Sequence, residues 1–161
     1  MMELLAALEA SAFSTWLRES TSIWGYPTVL TLHTVGLAML VGLNAAVDLR
    51  LLGFGPGIPI SSMERLFPAM WIGFWLNTVT GAMLFAIDPI NKGTTTIFMF
   101  KLALVVAGVV LLVMLRRSVY GPRRQVAVTP VAKACAALSL LVWIAAITTG
   151  RFMAYVSETP Q

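Results

Sequence analysis

One cysteine and one histidine in 161 residues exclude most reactive clusters. Cys135 stands alone in an apolar run, so no intramolecular disulfide can form and no CxxC metal or redox pair exists. His33 is equally solitary, so two histidines of one chain cannot ligate a haem iron. Charge is scarce as well. Charged residues make up 11% of the chain, against roughly 25% in a soluble domain. No GxSxG, HExxH, P-loop or GxGxxG stands in a supporting context, so no standard catalytic motif argues for an enzyme. The first 20 residues lack a basic leader and carry Glu3 and Glu9, which is unlike a secretory signal.

What remains is apolar. Hydrophobic residues make up 58% of the chain and mean hydropathy is +0.85. The composition predicts an integral membrane protein of one small all-α domain in contact with the lipid bilayer. The net charge of +4 comes mostly from one loop, so it reports membrane topology and not nucleic-acid binding.

Four runs are long enough to cross a bilayer. Pro27 suits the first turn of a helix, and Thr28–Val47 holds 20 residues without a charge. At ~1.5 Å per residue that is ~30 Å, the thickness of the hydrocarbon core. The reading is a four-helix membrane bundle with transmembrane helices over about 28–47, 68–87, 97–115 and 134–156. Residues 2–20 are too charged to cross and carry Leu5, Leu8, Ala12 and Trp16 at helical spacing. They read as one amphipathic helix lying on the membrane surface.

Lysine and arginine set the orientation. Arg50, Arg65, Arg116, Arg117, Arg123, Arg124 and Lys133 fall on the side of loops 1 and 3. Arg18, Lys92, Lys101 and Arg151 fall on the other. Loops 1 and 3 are therefore expected in the cytoplasm, and both termini on the periplasmic side of a bacterial inner membrane.

At 100° per residue, His33, Leu37, Leu40, Asn44 and, at the edge, Asp48 share one stripe of helix 1. Asp48 and Arg50 read as the boundary of that helix. Gly73, Asn77, Thr80 and Gly81 share a stripe of helix 2, and Ser139, Trp143, Ala146 and Gly150 one of helix 4. Small residues so spaced let helices approach, and Asn77 can hydrogen-bond across them. The even–odd order of the helices places His33, Asp88, Lys101 and Arg151 at one membrane face, with Tyr155 one turn beyond Arg151.

That set supports several readings. His33 could ligate haem b, with Lys101 and Arg151 on the propionates and a methionine or a second copy as the other ligand. It could hydrogen-bond a quinone carbonyl, or hold copper(I) together with methionine. In the plainest reading, His33 and Asn77 only join helices while Lys101 and Arg151 snorkel to headgroups. The expected function is a small accessory or electron-transfer-type subunit with a haem or quinone pocket near the outer face. The alternatives are a transporter or channel component for a small solute or metal ion, and a structural subunit of a larger membrane complex. The small-residue stripes on helices 2 and 4 also suggest a homo-oligomer or a place in such a complex.

Tyr26-Pro27, His33-Thr-Val-Gly36, Gly42, Asp48-Leu-Arg50-Leu-Leu-Gly53, Thr80-Gly81, Phe100-Lys101 and Gly150-Arg151-Phe-Met-Ala-Tyr155 resemble a family of small four-helix bacterial inner-membrane proteins. The resemblance implies the four-helix architecture and carries over no activity. More loosely, the LHxxGxAxxxG run from Leu32 to Gly42 is similar to helices of membrane b-type cytochromes and copper-resistance membrane proteins.

Overall fold

The computed structural model describes residues 2–120 and 128–156, with side chains to Met153. Among these residues there are helices and no strands. Two short helices come first, α1 (Met2–Glu9) and α2 (Ala12–Glu19). One long helix follows in three parts: α3 (Tyr26–Leu37), a π-helical turn (Ala38–Gly42) and α4 (Leu43–Leu52). A 3-10 segment (Ile60–Leu66) leads into α5 (Phe67–Ala86). Then come α6 (Pro89–Thr94), α7 (Thr96–Tyr120) and α8 (Pro130–Val156). Four stretches are long and apolar enough to cross a membrane: Tyr26–Leu52, Ile60–Ala86, Thr96–Tyr120 and Pro130–Met153.

The helices run further than the sequence suggests, for local reasons. The first continues past Asp48 to Gly53, whose φ of 112° ends it in the left-handed conformation. Arg50 folds back there onto the carbonyls of Ile58 and Pro56, at 2.6 and 3.4 Å. α7 passes Arg116 and Arg117 because both point outward. Arg116 stacks over the Phe67 ring at 5.6 Å, and one turn on the Tyr120 hydroxyl donates to Ile60 O at 3.1 Å. α8 begins at Pro130, where the Thr129 hydroxyl accepts from Ala132 N at 3.1 Å and caps the first turn. Arg123 and Arg124 of the basic loop lie outside the described residues.

Residues 2–20 form two helices and not one. The break falls at Ala10–Ser11, where Ser11 Oγ accepts from Ser14 N at 3.2 Å and starts α2 afresh. The face read from the sequence is not the buried one. Leu8 and Trp16 are exposed, while Ser14 and Leu17 are fully buried. The reason is the end of α5. Asp88-Pro89 stops that helix and leaves its last carbonyls without helical partners. Ser14 Oγ donates to Ala86 O at 2.6 Å, Arg18 Nη1 to Ile87 O at 3.3 Å and Lys92 Nζ to Leu84 O at 2.9 Å. Two of these donors are cationic, which the negative end of a helix favours. Burial pulls the Lys92 ammonium below the usual lysine value, and the Asp88 carboxylate draws it partly back.

Packing divides the first long helix between two partners. α3 and the π turn lie against α5, α4 lies against α8, and α7 packs along α8. At the α3–α5 crossing the backbones nearly touch. A Cβ on Gly36 would sit 2.7 Å from Asn77 N, and one on Gly73 2.8 Å from Gly36 O. No side chain fits at either glycine. The π turn explains the change of partner. It takes one residue more per turn than an α-helix, which displaces the buried stripe by ~100°. Leu40, Val47, Leu51, Met70, Leu112, Leu115 and Trp143 then close one core between the four long helices. Large apolar side chains such as Ile72, Trp75, Val106 and Leu141 cover the outside.

Candidate functional site

The first long helix carries two polar clusters, one toward each end. The cluster at the histidine end joins α3 to α5. His33 Nδ1 lies 3.0 Å from Asn77 O and 3.1 Å from Thr80 Oγ1. Asn77 Nδ2 donates back to His33 O at 2.9 Å. The Thr80 hydroxyl already donates to Leu76 O at 2.6 Å, so toward the ring it accepts. Two acceptors face Nδ1, and the Asn77 amide lies 3.3 Å from Nδ1 and 3.4 Å from Nε2. A proton on Nδ1 serves both acceptors and turns the Nε2 lone pair toward that amide, the tautomer seen when a histidine is oriented by a backbone carbonyl. The ring also lies against Gly81, where a Cβ would come 3.1 Å from His33 Cε1.

The other expected members stand apart from this clasp. Lys101 on α7 lays its chain along α8, where a Cβ on Gly150 would be 3.4 Å from Lys101 Cε and 3.5 Å from Nζ. Arg151, the next residue, is exposed. The Tyr155 side chain lies outside the described residues. So the structure brings His33 and Asn77 together, and the Thr80 hydroxyl completes the clasp. Lys101 lies beside Gly150 of α8. Among the described residues no three His, Cys, Asp or Glu side chains come together as a metal centre would need. For haem, the chain supplies one imidazole, and that ring is pressed edge-on against α5.

The second cluster, at the aspartate end, was not singled out from the sequence. Asn44 Nδ2 lies 2.6 Å from Asp48 Oδ2 and 2.9 Å from Ser139 Oγ, tying α4 to α8. Asp48 and Ser139 are 0% exposed and Asn44 is 3% exposed. Asp48 is therefore not a boundary residue. It points into the bundle, with the chain leaving the helix only at Gly53. Asp48 Oδ1 has no hydrogen-bond partner. The usable signal was the i, i+4 spacing of Asn44 and Asp48 on the same stripe as His33. The proximity of Arg50 disguised it.

Between the clusters lies an apolar layer. Leu40, Met70, Trp71, Phe74, Val109 and Leu112 line a cleft with no room for a water molecule. His33 and Asp48 are 15 residues apart on one helix, ~22 Å along its axis.

No protein-family model, no curated protein and no solved structure matches this chain.

Proposed function

We propose that this chain is a multi-pass protein of the bacterial inner membrane and a small, non-catalytic accessory subunit, working as a homo-oligomer or within a larger membrane complex. Its length and hydropathy support the crossing. The lysine and arginine asymmetry supports loops 1 and 3 in the cytoplasm and both termini in the periplasm. With that orientation α1 and α2 lie at the outer surface, against the end of α5.

One observation carries the accessory reading. The polar groups at the histidine end, His33, Asn77 and Thr80, are bonded to each other across α3 and α5, so these residues serve helix joining. A second reading, an electron-transfer subunit for haem or quinone, is favoured by one detail. The Nδ1 contacts leave a lone pair on Nε2, which a metal or a quinol hydroxyl can use.

The test is a purification in native nanodiscs, followed by absorption spectroscopy, metal analysis and quinone extraction, on the natural chain and on His33→Gln. The accessory reading expects a particle larger than one chain and no cofactor that depends on His33. It also expects a stability loss of only ~0.6 kcal/mol in the variant. A Soret band, a metal or a quinone that disappears in His33→Gln would transfer the assignment to electron transfer. A monodisperse monomer would end the subunit reading.

A further inference from the structure

We propose that Asp48, held by Asn44 and Ser139, is a proton-binding site in the interior of the bundle: its carboxyl carries a proton and exchanges it with solvent. This goes beyond the accessory role and does not depend on His33.

The argument starts from burial. Asp48 is fully buried, and one of its two oxygens has no partner. A carboxylate in that state would be a charge taken out of water with one oxygen unsolvated, which proteins avoid by neutralising the group or pairing it. Pairing is absent among the described residues, where the one ion pair is Arg18 with Glu19. α4 touches α8, the 3-10 segment, α5 and the π turn. Their titratable or charged groups are Lys133, Cys135, Arg151 and Tyr155 on α8, the last with its side chain outside the described residues, and Glu64 and Arg65 on the 3-10 segment. Neither α5 nor the π turn has any. Lys133, Arg151, Glu64 and Arg65 are exposed, and Cys135 is a half-buried neutral thiol. On α4 itself, Arg50 is committed to the Ile58 and Pro56 carbonyls. The groups that do reach the carboxyl are neutral.

The contacts accommodate the neutral acid. Asn44 lies 2.6 Å from Asp48 Oδ2, within reach of an O–H···O bond of ~2.5–3.0 Å. Turning the Asn44 amide by 180° exchanges its nitrogen and oxygen. Asp48 Oδ2–H then donates to Asn44 Oδ1, and the Ser139 hydroxyl donates to the same oxygen from 2.9 Å. The unpartnered Oδ1 becomes the carbonyl oxygen of a neutral acid, a much smaller loss than an unpartnered charge.

The occupant follows from size and charge. The cluster offers one acid and two neutral oxygen groups, fewer than the six to eight oxygens a calcium site uses. A proton needs no cavity. Binding is the simple equilibrium of carboxylate and H⁺ with carboxylic acid, and no other reactant enters. Asp48 stands five residues before Gly53, at the end of α4 away from the dry layer of Leu40, Met70 and Phe74. Solvent on the aspartate side is therefore its partner for exchange. An ionisable group inside a membrane bundle commonly marks such a site.

The test is infrared spectroscopy of the full chain in nanodiscs, at neutral pH, in H₂O and after transfer to D₂O. The natural chain should show a carboxylic-acid C=O band that is missing in Asp48→Asn, and the band should shift on deuteration. Asp48→Asn keeps the shape of the neutral acid and should fold. Should it not fold, Ser139→Ala serves in its place: it removes one hydrogen bond to the site, so the band must move in frequency. A spectrum unchanged by either substitution would overturn the assignment, because Asp48 would then be a carboxylate. A band that never shifts in D₂O would overturn it too, since the proton would be a fixed part of the structure.

Discussion

The two ends of the first long helix teach different lessons about polar groups in an apolar bundle. At the histidine end the helices touch through glycine, and His33 and Asn77 exchange bonds with backbone atoms. His33 keeps part of its surface exposed, and its Nδ1 has partners on α5. At the aspartate end the contact runs side chain to side chain, through Asn44, Asp48 and Ser139. Nothing there is exposed, and one oxygen has no partner. The first arrangement locks two helices. The second holds a polar group in a place where it must be neutral. One helix supports both because the π turn gives its halves different neighbours.

The sharpest way to break this comparison is to overload the π turn. An alanine inserted after Val41 adds a residue that the turn does not absorb and rotates α4 by ~100° relative to α3. Asn44 and Asp48 then leave α8 while His33 stays on α5. The expected loss is at least ~4 kcal/mol, the size reached when a core is rearranged. Thiol cross-linking checks it. In a Cys135→Ala background, Asn44→Cys and Ser139→Cys should couple in the natural-length chain and fail to couple in the insertion. Equal coupling in both would show that the register carried through the π turn does not set the partner of α4.

A smaller perturbation compares the clusters directly. Asn44→Ala strips a buried acid of its bonded neighbour and should cost ~2 kcal/mol, within the range for an unsatisfied buried group. His33→Gln retains a hydrogen-bonding side chain and should cost ~0.6 kcal/mol. Reversible unfolding in mixed micelles measures both. Equal losses would erase the distinction between lock and proton site.

The smallest effect lies at the end of α5. Lys92 is lowered by burial, so between its folded value and the ordinary lysine value of 10.5 the folded chain binds fewer protons than the unfolded one. Stability should rise with pH across that window, with a slope of less than one proton per molecule. The neutral amine still donates to the Leu84 carbonyl. Lys92→Met should flatten the rise, and an unchanged alkaline limb in thermal unfolding would contradict it.

Much of the architecture was legible because bilayer-length apolar runs declare themselves. Four long apolar helices stand where the four runs fall, with ends that extend beyond several of them, and Gly73, Thr80, Ser139, Trp143 and Ala146 of the small-residue stripes are buried. The stripe through His33, Leu40, Asn44 and Asp48 was also visible. Its division between two partners was not, because Ala38-Met-Leu-Val-Gly42 has no signal that separates a π turn from an α turn. The break at Ser11 was missed because the partners of Ser14 and Arg18 are carbonyls far along the chain. The stripe points Asp48 toward protein, whereas a carboxylate two residues before an arginine also reads as the end of a helix. The burial of Asp48 depends on α8, which local pattern cannot supply.

That dependence sets an order of events during synthesis. Ser14 lies 72 residues before Ala86, and His33 lies 44 before Asn77, so the histidine end completes its bonds once α5 has been made. Asn44 lies 95 residues before Ser139. From the time α4 forms until α8 is delivered, the Asn44–Asp48 pair must wait without its third member. That wait makes the last helix, rather than the first three, the step that commits the chain to its finished form.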